Sequence, residues 1–222
     1  MNEITKCGPA SDRRIGGLRD ESPVLEVSGL HRPGLEPTSF VLRRGECIVV
    51  RGPSGAGKTL LLRSIADLDA NDGEVCLNGR RRESVSAPEW RRQVGYLPAE
   101  PAWWADTVGA HYADWGAAAP LVQRLGLPVE AATWDLTRPS TGERLRLALV
   151  RALLIGPQVL LLDEPTAALD PVAVALVEAL IREQMARGLS VLWVTHDESQ
   201  ADRMATRLLI VKQGSVREEV ES

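Results

Sequence analysis

Residues 52–59 read Gly-Pro-Ser-Gly-Ala-Gly-Lys-Thr, directly after the apolar run Cys47–Val50 and directly before a helix-like run from Lys58 to Ala66. A glycine-rich turn between a buried strand and a helix is the setting of a phosphate-binding loop. Glycines let the backbone wrap an anion so that successive N–H groups point inward, and the helix that follows contributes its positive end. Lys58 is placed to reach the β- and γ-phosphates as a compact charge, and the Thr59 hydroxyl to ligate Mg²⁺. The lysine is informative because the chain otherwise prefers arginine: among 26 basic residues only Lys6, Lys58 and Lys212 are lysines. A planar, wider guanidinium does not fit a loop built around an ammonium.

The rest of the pattern agrees with a strand that feeds a helix. Strands are expected at Leu25–Leu30, Ser39–Leu42, Glu46–Val50, Glu74–Leu77 and Gln93–Leu97, and later at Val159–Leu162, Ser190–Thr195 and Arg207–Lys212. Helices are expected over Gly142–Ile155, Pro171–Arg187 and Glu198–Ala205. Strands alternating with helices of this length predict a parallel sheet covered on both faces. Residues 1–22 read as a loose tail, 23–220 as a single domain, and 101–135 as a small, mainly helical insertion.

Two further strand ends carry chemistry. Asp163 and Glu164 follow Val159–Leu162 at the carboxyl end of a buried strand, where ligands sit in open α/β sheets. Asp163 is expected to support Mg²⁺ and Glu164 to polarise an attacking water. His196 follows another such strand, which turns it toward the γ-phosphate. His31 and His111 lack that context and read as structural.

In this order the motifs resemble the nucleotide-binding subunits of ABC transporters, over Val24 to Val220. The resemblance implies a P-loop NTPase core with a RecA-like parallel sheet, an antiparallel β subdomain, and a small helical subdomain spanning 101–155. It implies that ATP lies on Gly52, Pro53, Ser54, Gly55, Ala56, Gly57, Lys58 and Thr59. Mg²⁺ would lie between Thr59 and Asp163, with Glu164 and His196 catalytic. Ala167–Asp170 matches the family's D-loop, and Asp170-Pro171 equally makes a helix cap. The stretch Pro139–Glu143 stands where the family has LSGGQ, so Ser140 and Gly142 are expected to serve the nucleotide of a second copy in a homodimer. The family also implies a separate membrane permease and a place on the cytoplasmic face of the membrane.

Three departures stand out. Thr141 replaces a glycine of the signature, Ala99 stands where the family has a glutamine, and His31–Gly34 lacks the aromatic residue that stacks on adenine. His31 or Arg32 is the remaining candidate for that stacking. The first two departures motivate an alternative, a nucleotide-binding module with weak or lost turnover. Another alternative, a soluble ATPase acting on nucleic acid or ribosomes, is disfavoured by a net charge of −4 and a single module, so no nucleic-acid partner is expected. No apolar run exceeds the six residues Val172–Val177, too few to span a bilayer. The three cysteines form neither a disulfide framework nor a metal pair and fit a reducing compartment. Trp103-Trp104 is read either as packing of the helical lobe or as an exposed anchor for the permease, and Arg80–Arg82 as a solvated surface. The short chain, with DTV and VLWVTHD, looks most like iron-exporting ATPase subunits.

Overall fold

The computed structural model describes residues 23–219, and the tail expected over residues 1–22 lies outside them. Its strands are β1 (Pro23–Arg32), β2 (Leu35–Arg43), β3 (Cys47–Arg51), β4 (Asp72–Leu77), β5 (Arg80–Arg81), β6 (Val94–Leu97), β7 (Val159–Asp163), β8 (Ser190–Val194), β9 (Arg207–Lys212) and β10 (Ser215–Glu219). The helices are α1 (Lys58–Ile65), α2 (Ala87–Gln93), α3 (Trp115–Arg124), α4 (Thr141–Leu154), α5 (Pro171–Ala186) and α6 (Glu198–Met204). The first sheet is antiparallel, in the order β2-β1-β4-β5. The second runs β10-β9-β3-β8-β7-β6 and is parallel except for β10, which pairs antiparallel with β9.

Alternation along the central strands explains how both faces of the second sheet are filled. Ile48, Val50, Leu161, Leu192 and Val194 point to one side, where they join Leu61, Leu62 and Ile65 of α1 and the inner face of the antiparallel sheet. Cys47, Val49, Leu160, Leu162, Val191 and Trp193 point to the other, against α4, α5 and α6. Helix α1 is thus held between two sheets, and the loop before it has little freedom. Trp193 is fully buried, as its strand pattern predicts.

The structure corrects several readings of the sequence. Helix α2 was not expected, yet its signals are present. Ser86 caps it from Glu89 N–H at 3.4 Å, and the buried Trp90 indole donates to the Ile65 carbonyl at 2.9 Å. The 101–135 stretch is less regular than expected: only α3 is α-helical, with short 3-10 turns at Gly109–His111 and Val129–Thr133. Arg82 is not solvated. It is buried, with its guanidinium bonded to the Ser64 carbonyl (2.8 Å), Asn71 (3.0 Å) and Glu83 (2.9 Å). Cys47 is a buried free thiol. Among the described residues no helix is long and apolar enough to cross a membrane.

Candidate functional site

Because β3, β7 and β8 run parallel, their carboxyl ends share one edge of the sheet. Val50 pairs with Val194, and Asp163 with Val194, so the segments that follow these strands emerge side by side. Gly52 can only be glycine here: a Cβ would sit 2.0 Å from the Val211 carbonyl oxygen of β9. Pro53, Ser54 and Gly55 form the exposed rim of the loop, while Ala56 and Gly57 are buried at its base. Gly57 opens α1 at φ 109° with no side-chain cap, which leaves the first-turn N–H groups available to an anion.

The Lys58 ammonium is buried beneath this loop and donates to the carbonyls of Gly52 (2.8 Å) and Pro53 (3.0 Å). Burial lowers its pKa below the ordinary lysine value, against the opposing pull of Glu164 and Asp163. One turn away in space, Thr59 Oγ1 donates to Asp163 Oδ2 at 2.8 Å. Tyr96, at the end of β6, donates to the same oxygen at 3.1 Å. Burial raises the Tyr96 pKa, and the Asp163 charge raises it further, so the hydroxyl stays a donor. Sequence reasoning missed this residue. Its only signal was a tyrosine among apolar residues in the strand neighbouring Asp163.

Glu164 sits at φ 52°, a left-handed conformation that a non-glycine residue adopts at some cost, and its N–H is tied to the Val194 carbonyl at 3.1 Å. That geometry turns the carboxylate toward His196, whose Nε2 lies 2.6 Å from Glu164 Oε1. Beyond the pair, a cleft of about 880 Å³ runs between α5 and α6 past Thr166, Gln200, Glu178 and Arg203. The edge therefore gathers an ammonium, a hydroxyl–carboxylate pair and a second carboxylate held by an imidazole, beside a glycine-rich loop and an uncapped helix start. Such a set binds a polyphosphate and directs water at its end.

The ABC transporter family model matches residues 35–167. The chain belongs to the ABC transporter family. It is 35% identical over 212 residues to the phosphonates import ATP-binding protein PhnC of Trichormus variabilis, covering 86% of both chains. To the probable iron export ATP-binding protein FetA of Escherichia coli it is 31% identical, covering 85% of this chain and 93% of that one. A solved ATP-binding subunit of an ABC transporter superposes with a TM-score of 0.78 at 27% identity, over 88% of this chain and 90% of the other. The chain is thus an ATP-binding subunit of this family, an ATPase that powers transport through a separate permease.

Not every expected site residue meets the others in this ABC subunit. Ser140 caps α4 in a reciprocal box with Glu143, accepting from Glu143 N–H at 3.3 Å while its own N–H donates to Glu143 Oε2 at 2.8 Å. Gly142 is buried against the D-loop, where a Cβ would lie 2.7 Å from the Ala168 carbonyl oxygen. Neither makes a described contact with the phosphate loop. Asp170 caps α5 through Val172 and Ala173 N–H, both at 2.9 Å, in keeping with its cap reading. At the loop 31–34, Arg32 is paired with Asp69 (2.7 Å) and His31 Nδ1 is bonded to the Gly29 carbonyl (2.8 Å). His111 is structural, as expected: it is buried, with Nε2 accepting from the N–H groups of Trp104 (2.9 Å) and Ala105 (3.0 Å).

Proposed function

We propose that this subunit hydrolyses ATP at the sheet edge with Glu164 as general base, in a homodimer seated on the inner face of the membrane. The observation that carries the reading is the 2.6 Å contact of His196 Nε2 with Glu164 Oε1, one residue beyond Asp163. Glu164 takes a proton from water as the water oxygen bonds to the γ-phosphorus and the bond to the β–γ bridging oxygen breaks. His196 holds the accepting carboxylate in place. Lys58 and the N–H groups of residues 54–57 balance the phosphate charge, most strongly as it moves to the leaving oxygen.

The donor set suits Mg²⁺. Thr59 and Asp163 supply hard oxygens, and among the described residues no cluster of three or more His, Cys, Asp or Glu forms a protein cage. Mg²⁺ takes few protein ligands and leaves its other positions to phosphates and water. When bound, it neutralises phosphate oxygens during transfer.

Two copies are needed because the α4 N-terminus, with Ser140, makes no described contact with its own phosphate loop. A two-fold axis brings it to the loop of the partner copy. The exposed Thr141 at that helix start, bulkier than the family's glycine, makes closure looser. The permease meets the face that carries Leu68, Trp104, Leu154 and Ile155, which are exposed at 38%, 71%, 37% and 56%. Leu68 and Ile155 line one cavity, and Trp104 lies over Arg151, one helical turn from Ile155. An exposed apolar face of this kind marks an interaction site.

Phosphate release from the purified subunit tests the reading. Replacing Glu164→Gln should cut the steady-state rate by about 10³-fold, within the usual range for a general base. It should leave ATP binding intact and shift the protein to a dimer on sizing with ATP. Unchanged turnover would remove Glu164 from its role and restore the weak-turnover alternative. A monomer with bound ATP would count against the paired mechanism.

A further inference from the structure

Tyr96 has no part in the chemistry above, yet it touches the carboxylate on which the metal site depends. Asp163 Oδ2 accepts from Thr59 at 2.8 Å and from Tyr96 at 3.1 Å, while among the described residues no hydrogen bond reaches Oδ1. In the Tyr96 bond the phenol donates and the carboxylate oxygen accepts.

The ring is held independently of the hydroxyl. Tyr96 is half-buried on β6, packs against the core between the two sheets, and walls an outer cavity of about 230 Å³ with Leu68, Ile155 and Pro157. Ala99, three residues on, has no polar side-chain atom and is exposed. The hydroxyl nearest Asp163 from this strand is therefore that of Tyr96.

We propose that Tyr96 is a positioning residue for the metal: its hydroxyl holds Asp163 Oδ2 so that Oδ1 faces the cation beside Thr59. The inference rests on the Mg²⁺ reading above. Partners that orient a metal's ligands commonly contribute about 10- to 100-fold in affinity. The experiment compares wild type with Tyr96→Phe, each saturated with a non-hydrolysable ATP analogue, and titrates Mn²⁺ by electron paramagnetic resonance. The expected result is Mn²⁺ affinity about tenfold weaker in Tyr96→Phe, with analogue affinity in EDTA and the melting temperature both unchanged. Equal Mn²⁺ affinity in the two proteins overturns the proposal. So does an equal loss of analogue affinity with and without metal, which would mark a packing role. A wild-type complex that binds Mn²⁺ no better than free analogue overturns the Mg²⁺ reading and this inference together.

Discussion

The sheet edge and the segment between β6 and α4 sit side by side but are built by different means. At the edge, residues are placed by parallel strands buried on both faces and by backbone contacts too close for a side chain, as at Gly52. Within the segment between β6 and α4, Val108, Ala118, Val122 and Leu125 join the core, whereas residues 98–106 carry neither helix nor strand and are held by polar and aromatic contacts. The Arg151 guanidinium lies 4.7 Å from the Trp103 ring and 4.8 Å from the Trp104 ring, and donates to the Ala102 carbonyl at 2.9 Å. His111 holds the same loop edge-on to both rings. Close-packed cores respond to small changes as steps, whereas contacts of this second kind are individually worth little. The chemistry is thus mounted on the close-packed part, and the exposed Trp104 on the part held by separate weak contacts.

The largest effect should come from breaking the edge itself. Gly52→Ala combines a strained backbone with a 2.0 Å approach to the Val211 carbonyl, which nothing flexible can relieve. We expect a loss of about 3 kcal/mol of stability in urea unfolding, in the range of severe core substitutions, together with loss of ATP binding. A variant that folds with wild-type stability would show that the loop is not pinned by β9.

A middle effect is expected at Glu178, a carboxylate buried in α5 and bonded by Arg203 (2.7 Å), Arg182 (3.2 Å) and Gln200 (3.2 Å). Gln200 in turn accepts from Thr166, two residues past Glu164, at 3.0 Å. Burial alone would raise its pKa, but the bonds from Arg203 and Gln200 and the charges of Arg203 and Arg182 outweigh it and hold the group below the ordinary value of 4.5. A depressed carboxylate stabilises the fold above its unfolded pKa, so the contribution should be complete above that 4.5 and lost as pH falls below it. Both arginines reach solvent, so Glu178→Gln should cost about 2 kcal/mol at pH 7, less than a fully buried pair. Melting curves across pH 3–7 should show a smaller acid-induced drop in the variant; identical acid profiles would exclude Glu178 as a titrating anchor.

The smallest effect belongs to the looser segment. Arg151→Ala removes one hydrogen bond and two ring contacts and should cost only about 1 kcal/mol. Metal-free ATP affinity should stay unchanged, while tryptophan emission shifts to longer wavelength as Trp103 and Trp104 loosen. A loss as large as that of Gly52→Ala would erase the distinction between the two regions.

Much of the edge was readable in advance because its constraints are local. A glycine loop, one lysine and a helix start are adjacent in the chain, and alternating apolar residues reveal strands buried on both faces. Asp163, Glu164 and His196 were legible because each follows such a strand, and parallel pairing must bring those ends together. Arg82 was misread because its acceptors, the Ser64 carbonyl and Asn71, come from other segments and no local pattern announces them. Trp103 and Trp104 looked alike in sequence, yet one packs on the core and its neighbour is 71% exposed, a difference made by contacts with distant segments.

The chain by itself determined the α/β class, the phosphate loop and the order of the carboxylates and histidine, because these depend on neighbours in sequence and on the period of the strands. Tertiary structure alone decided that Tyr96 reaches Asp163, that Glu164 meets His196 in a left-handed turn, and that Gly142 belongs to the D-loop's packing. Each of those contacts joins segments far apart in the chain. Their distances are set by the side-by-side order of β6, β7 and β8 in one sheet and by where α4 packs, and no spacing of residues along the sequence encodes that order.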